Sequence, residues 1–157
     1  DIADMEFILY SFDDNWEDYH TTERLTLKTS IADTYSYVFD DSGEVAYDRD
    51  GIKIVIKGLA EERSVLGQEV LLYIENATDR SVTVQQRNLS VNGYMVSASL
   101  SCDILPGKHA VDRIVLFNSD LENNDIDTVE NMELSFRIFD TDTWEDIVET
   151  DAVTVTF

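Results

Sequence analysis

The sequence is poor in the residues that small enzymes and disulfide-stabilised proteins depend on. Its 157 residues include one cysteine, one proline, two histidines and six glycines. A single cysteine, Cys102, has no internal disulfide partner, and its β-rich surroundings predict a small buried side chain. No run approaches the ~18 consecutive apolar residues of a membrane-spanning helix, and residues 1–6 do not resemble a signal peptide. We therefore expect no direct membrane insertion.

Basic side chains are also scarce, with 11 lysines and arginines against 33 acidic residues and a formal net charge of −22. Residues 1–48 and 114–157 each carry −11, whereas residues 49–113 are neutral. A surface this negative repels phosphate backbones and anionic lipids. Nucleic acid is therefore excluded as a partner. The 43% hydrophobic content is nevertheless enough for one folded core.

The two acidic ends resemble each other in sequence. Residues 5–13 align with residues 132–140, and after one inserted residue 16–27 align with 144–155. Either residues 1–29 are the closing hairpin of a preceding repeat, or both hairpins belong to one sandwich. We favour the first interpretation, which predicts a hairpin over 1–29, a domain over 30–157 and neighbouring repeats as partners.

The remaining pattern predicts an all-β protein. Isoleucines at 52, 54 and 56 alternate with Lys53, Val55 and Lys57, as in a strand with one buried face. Tyr35, Tyr37 and Phe39 predict another strand, and Asp50-Gly51, Asn92-Gly93 and Pro106-Gly107 predict tight turns. About ten strands with frequent turns favour an antiparallel immunoglobulin-like β-sandwich. At most one short helix is expected, over 119–124, with Ser119 as its cap and Leu121 as its anchor.

Strand and turn segments in the middle of the chain carry a family resemblance. They are Leu72-Tyr73-Ile74-Glu75-Asn76, Thr78-Asp79-Arg80, Val91-Asn92-Gly93-Tyr94 and Leu105-Pro106-Gly107-Lys108. Over residues 44–157 the chain resembles immunoglobulin-like modules of secreted or lipid-anchored Gram-positive bacterial proteins. The resemblance implies an extracytoplasmic sandwich, in lipoproteins tethered through an upstream cysteine, with no assigned activity.

The histidines and hydroxyl residues do not form a catalytic pattern. No Gly-x-Ser-x-Gly nucleophile motif is present, and His20 occupies a position where the other copy of the repeat has Val148. His109 simply begins a strand after the Pro106-Gly107 turn. We therefore expect no enzymatic activity and no catalytic residues, unless folding brings His109 into a concave site beside a serine or carboxylate.

The acidic hairpins suggest a metal site as an alternative. Asp13, Asn15, Asp140 and Asp142 supply the hard oxygen ligands that calcium prefers, although neither turn fits the EF-hand pattern. The simpler interpretation is that both hairpins end in solvated acidic turns that bind no metal. Zinc has no histidine–cysteine cluster to use. The sequence thus predicts no cofactor, with calcium at these hairpins as the alternative.

Trp16 and Trp144 occupy matching positions in the two acidic hairpins. Exposed indoles stack on sugar rings, but they also pack over strand pairs and fix turns, which is the commoner use. The leading hypothesis is a non-enzymatic structural or adhesive module of a bacterial surface or secreted protein, with protein or carbohydrate partners at the cell surface. The alternative is a module that binds carbohydrate or calcium through these hairpins, which requires at least one solvent-facing indole.

Overall fold

The computed structural model describes residues 2–157. The chain separates into two compact units, unit 1 up to Phe39 and unit 2 over Asp40–Phe157. The predicted domain boundary lies after residue 29. In the structure, the segment 30–39 belongs to unit 1. All described sheets are antiparallel, and the fold is all-β.

Unit 1 is built from two short strand pairs. β1 pairs with β4 and β2 pairs with β3, so the chain runs out and back as one interrupted hairpin. Thr22 bridges the interruption, because its backbone N–H donates to the Leu9 carbonyl while its Oγ1 accepts from the Leu9 N–H. The strands are β1 (Asp4–Phe7), β2 (Tyr10–Phe12), β3 (Asp18–Thr21) and β4 (Leu25–Lys28).

The predicted strand through Tyr35, Tyr37 and Phe39 is wrong. Residues 35–39 form no strand, although the rings of Tyr37 and Phe39 contact each other edge to face at 4.9 Å. An alternating pattern becomes a strand only where a neighbouring strand satisfies its backbone hydrogen bonds. No such ladder forms here.

Unit 2 contains two larger sheets. One has the order β10-β12-β7-β6-β5, and the other has the order β11-β8-β13-β14 with β15 also on β13 and β9 on β8. The strands are β5 (Glu44–Arg49), β6 (Ile52–Leu59), β7 (Gly67–Asn76), β8 (Val82–Val91), β9 (Tyr94–Met95), β10 (Ala98–Ser99), β11 (Ser101–Ile104), β12 (Lys108–Phe117), β13 (Asn131–Asp140), β14 (Asp146–Glu149) and β15 (Val153–Thr156).

Residues 2–157 thus contain fifteen strands and not about ten. The excess comes from short pieces, since β9 and β10 have two residues each and an interruption divides β14 from β15. Conversely, β8 is one long strand, which passes through Asn88 at a φ of 50° without ending.

The inward faces of both sheets of unit 2 contribute to one apolar core. Ile52, Ile54 and Ile56 are buried as predicted, and Cys102 is a buried free thiol in β11. Burial and a nearby Asp112 carboxylate raise the Cys102 pKa to about 12. Val55, on the opposite face of β6, is buried as well.

The predicted turns form with the expected chemistry. Asp50-Gly51 and Asn92-Gly93 both have positive φ at both residues, as type I′ hairpin turns require. Gly107 has a φ of 65° after Pro106, and the Lys108 N–H donates to the Leu105 carbonyl, closing the third turn.

One helix, α1 (Asn118–Asn123), completes the fold. Leu121 is its buried anchor, as predicted, but the expected Ser119 cap is wrong: Phe117 occupies the N-cap and no side chain caps the helix. Within residues 2–157 no helix is long and apolar enough to cross a bilayer.

Candidate functional site

The predicted site residues lie at the tips of two hairpins, one in each unit. Asp13, Asn15 and Trp16 occupy the β2–β3 turn of unit 1. In unit 2, Asp140 ends β13, and Asp142 and Trp144 occupy the β13–β14 turn. In both cases the strand before the turn has a register shift near its end, between Ser11 and Phe12 in β2 and between Ile138 and Phe139 in β13. The two tips therefore share a local design.

At the unit 1 tip, Asp13 closes the turn. Its Oδ1 accepts the backbone N–H groups of Asn15 at 2.8 Å and Glu17 at 2.9 Å. Its own carbonyl accepts the Trp16 N–H at 3.1 Å. The Glu17 and Asn15 amides, in that order, lower the pKa of Asp13, because they stabilise the ionised carboxylate. The side chain is occupied by its own turn.

Asp140 does the same at the unit 2 tip. Its Oδ1 accepts the backbone N–H groups of Asp142 and Thr143, both at 3.0 Å, and its carbonyl accepts the Trp144 N–H at 2.8 Å. The Thr143 amide is the main cause of a lowered Asp140 pKa. Over residues 2–157 no three acidic, histidine or cysteine side chains are grouped closely enough to hold a metal ion. Asp13 and Asp140 are therefore used as turn-closing acceptors.

Both tryptophans are exposed and both adopt a left-handed backbone. Trp16 has a φ of 65° and is 83% exposed, and Trp144 has a φ of 64° and is 68% exposed. This conformation favours glycine, and a bulky residue there is strained. Each tip therefore holds an indole outward at a position where a smaller residue fits the backbone better.

The indoles differ in how they pack. Trp144 stacks on Phe139 with ring centroids 5.4 Å apart and planes 21° apart, and the Arg137 guanidinium lies 4.3 Å from the same phenyl ring. Arg137 is held in turn by Asp146, at 2.6 Å. Trp16 lies 6.2 Å from Phe12 with the rings tilted by 40°. Trp144 is thus part packing residue and part exposed surface, whereas Trp16 is mostly surface.

Unit 2 has several surface clefts. A cleft of about 520 Å³ follows β5 and the β14–β15 connection, lined by Val45–Asp50 and Val148–Val153. Two smaller ones lie beside Val155–Phe157 and beside Ala77–Arg80. Neither Trp144 nor His109 lines any of these three. The groove that a sugar-binding interpretation expects beside the indole is not among them.

A polar cluster that the sequence analysis missed lies on the sheet formed by β7 and β12. Tyr73 Oη is 2.6 Å from His109 Nδ1 and 3.4 Å from Glu75 Oε2, and the Tyr73 and His109 rings stack. Burial, and then the Glu75 charge, raise the Tyr73 pKa to about 12, so its hydroxyl stays protonated at neutral pH. Antiparallel register sets His109 opposite Glu75. The alternation of side chains along β7 could have predicted that Tyr73 and Glu75 share one face of the strand. Only the pairing of β7 with β12 shows that His109 lies beside them.

His109 therefore does lie near a carboxylate, 4.0 Å from Glu75 Oε2. A nucleophilic site also needs an activated hydroxyl or thiol beside the base. The neighbouring Tyr73 has a raised pKa, so its hydroxyl stays protonated at neutral pH and is a poor nucleophile. The cluster is best described as a hydrogen-bonded cross-strand group.

Comparisons of the chain with known proteins identify no family. No family model matches the sequence, and no curated protein matches it. The chain is similar to the crystal structure of a FixG-related protein from Vibrio parahaemolyticus, with a TM-score of 0.38 and 9% sequence identity over 69% of this chain and 97% of that one. A similarity of this size carries no functional conclusion.

Proposed function

We propose that the chain is a non-enzymatic structural or adhesive module of an extracytoplasmic bacterial surface or secreted protein, and that unit 2 is an immunoglobulin-like β-sandwich. The observation that carries the proposal is the strand order. Immunoglobulin domains place strands A, B, E and D in one sheet and C, F and G in the other. Unit 2 has neighbours β6-β7-β12-β10 in one sheet and β8-β13-β14 in the other.

The crossings between sheets support the same assignment. β7 and β8 are consecutive in the chain but belong to different sheets, as B and C do, and β12 and β13 repeat this as E and F do. β5 and β11 are additional strands at the two edges. Because one fold serves many functions, this supports the module class and not a particular ligand.

The use of the polar groups supports a non-catalytic role. Asp13 and Asp140 close their own turns, and His109 is bonded to Tyr73. The net charge of −22 gives a solvated, self-repelling surface, which suits a module crowded at a cell surface.

Two measurements test this proposal. Antibodies against the chain should label intact cells of the source organism as strongly as permeabilised cells, and labelling that requires permeabilisation would refute the extracytoplasmic assignment. A screen against ester, peptide, phosphate and glycoside substrates should give no turnover. Turnover that His109→Ala or Glu75→Gln abolishes, while Tyr94→Ala retains it, would make the chain an enzyme.

A second candidate is ligand recognition through the tryptophan tips, favoured by two exposed indoles in strained left-handed conformations. A glycan array and the thermal midpoint in calcium test it, with Trp144→Ala and Trp16→Ala as variants and Tyr94→Ala as an exposed-aromatic control. Loss of sugar binding in the tryptophan variants alone would support it. A site with a Kd of about 0.1 mM would gain about 2.7 kcal/mol at about 10 mM calcium, which is several degrees in Tm. Equal midpoints in calcium and magnesium would exclude a calcium-specific site.

A further inference from the structure

Two hairpins of the chain have the same backbone pairing. We name residues 3–29 of unit 1 the leading hairpin and residues 130–157 of unit 2 the closing hairpin. Matching strand pairs have matching partners, such as Met5 with Leu27 and Met132 with Val155. The correspondence continues to the tips: Ser11 pairs with His20 as Ile138 pairs with Val148.

The bonds outside the ladders match as well. The Leu9 N–H donates to Thr22 Oγ1 at 3.1 Å, and the Phe136 N–H donates to Thr150 Oγ1 at 2.9 Å. At the open ends, the Thr29 N–H donates to the Ala3 carbonyl as the Phe157 N–H donates to the Glu130 carbonyl. One additional residue in the second tip is the single difference in length. The two segments are therefore the same structural element.

Their surroundings differ. In unit 2, one edge of β13 pairs with β14 and β15 and the other edge pairs with β8. Met132 lies opposite Val91, and Ile138 lies opposite Val84. Within the described part of unit 1, β1 and β2 pair only with β4 and β3, so the corresponding edge has no ladder. An isolated two-stranded hairpin is marginally stable in water, which makes an unpaired edge of this kind a docking surface for a further strand.

The apolar faces differ in the same way. Met132 and Phe136 are 0% exposed in the core of unit 2, whereas their counterparts Met5 and Leu9 are 48% and 54% exposed. Leu27, the counterpart of buried Val155, is 53% exposed. The leading hairpin thus keeps the core-facing pattern of a closing hairpin, with its apolar side chains largely in contact with solvent.

We propose that the leading hairpin is the closing hairpin of another module of the same kind. Its β1–β2 edge accepts a strand equivalent to β8, and Met5, Leu9 and Leu27 enter that module's core. Unit 2 itself shows the covering partner, because β8 and the opposite sheet occupy the equivalent edge and face there. The inference depends on the fold and not on the proposed surface role, so glycan binding or cell labelling does not decide it.

One position gives the proposal a sharp prediction. Ser11 stands where the closing hairpin has Ile138, which is fully buried. A serine buried at that position lowers stability through lost apolar burial, whereas its hydroxyl already donates to the His20 carbonyl at 3.2 Å.

The test uses the full chain with residues 130–157 replaced by a second copy of residues 3–29. Unit 2 should still unfold cooperatively, with β8 amides protected from hydrogen exchange. Its Tm should fall by roughly 10–20 °C, and Ser11→Ile in the second copy should recover about half of that loss. A chain whose replacement segment has the same residues in reverse order is the matched control and should not protect β8.

Unprotected β8 amides in both the direct replacement and its Ser11→Ile form would overturn the proposal. Sedimentation of the unmodified chain gives a second arm. A monomer is expected. A concentration-dependent dimer that Leu9→Asp abolishes would show that a second copy of this chain covers the hairpin, and would overturn the assignment to a separate module.

Discussion

Replacing Trp144 measures two free energies at this hairpin: the contribution of the contact between the indole and Phe139, and the cost of the left-handed backbone. About a third of the indole is buried on Phe139, since 68% is exposed. A fully buried tryptophan covers up to about 250 Å², so this contact is worth about 80 Å², or ~2 kcal/mol at ~25 cal/mol/Å². A φ of 64° costs a non-glycine residue about 1 kcal/mol or more. Trp144→Ala loses the contact and keeps the strain, whereas Trp144→Gly loses the contact and relieves the strain.

We therefore expect Trp144→Ala to lower the free energy of unfolding by ~2 kcal/mol and Trp144→Gly by ~1 kcal/mol. The order is the reverse of the usual one, in which alanine is better than glycine. Urea titration of the full chain, followed by circular dichroism, measures both. Trp16 is the matched control: it is 83% exposed and only loosely against Phe12, so Trp16→Ala should cost less than ~1 kcal/mol.

Two results would refute this reasoning. If Trp144→Ala is as stable as Trp144→Gly, the left-handed backbone carries no strain. If Trp144→Ala is as stable as the unmodified chain, the contact between the indole and Phe139 does not stabilise the fold.

Three further predictions concern titration and access. Because the folded-state pKa of Asp140 is lowered, its stabilisation is present above pH ~4 and is lost as pH falls below it, so Asp140→Asn should flatten the acid side of a Tm–pH profile; an unchanged profile would contradict the assigned amide bonds. The raised Tyr73 pKa predicts a loss of stability at alkaline pH, between pH ~10 and ~12. The phenolate absorbance of Tyr73 should appear only in that range, and Tyr73→Phe should remove it. Cys102, buried with a pKa of about 12, should resist a thiol reagent until urea unfolds unit 2; rapid labelling of the folded chain would mean that β11 opens locally.

The parts of the fold that the sequence predicts are those fixed by neighbouring residues. Alternation at Ile52, Ile54 and Ile56 gives the buried face of β6, because side chains in a strand point to opposite sides. Asp-Gly and Asn-Gly pairs give turns because they tolerate positive φ. Leu121 anchors the only helix of the described residues as its isolated apolar position suggests.

The failures all depend on distant partners. Residues 35–39 alternate like a strand but are not part of a β-ladder. Ser119 is a good capping residue, yet β12 continues directly to Phe117 and the helix begins one residue early. Two-residue strands such as β9 and β10, and the interruption between β14 and β15, raised the strand count, and local patterns do not encode them.

For the candidate site, the sequence by itself determined the ingredients: an acid and a tryptophan in each of two similar hairpins, and a strongly negative net charge. Only the tertiary structure decided their use. Asp13 and Asp140 accept hydrogen bonds from backbone amides of their own turns, and both indoles are exposed at residues with positive φ. Cross-strand register brings His109 beside Tyr73. The reason is physical: composition and periodicity set which groups are available, whereas exposure and hydrogen-bond partners depend on which strands meet.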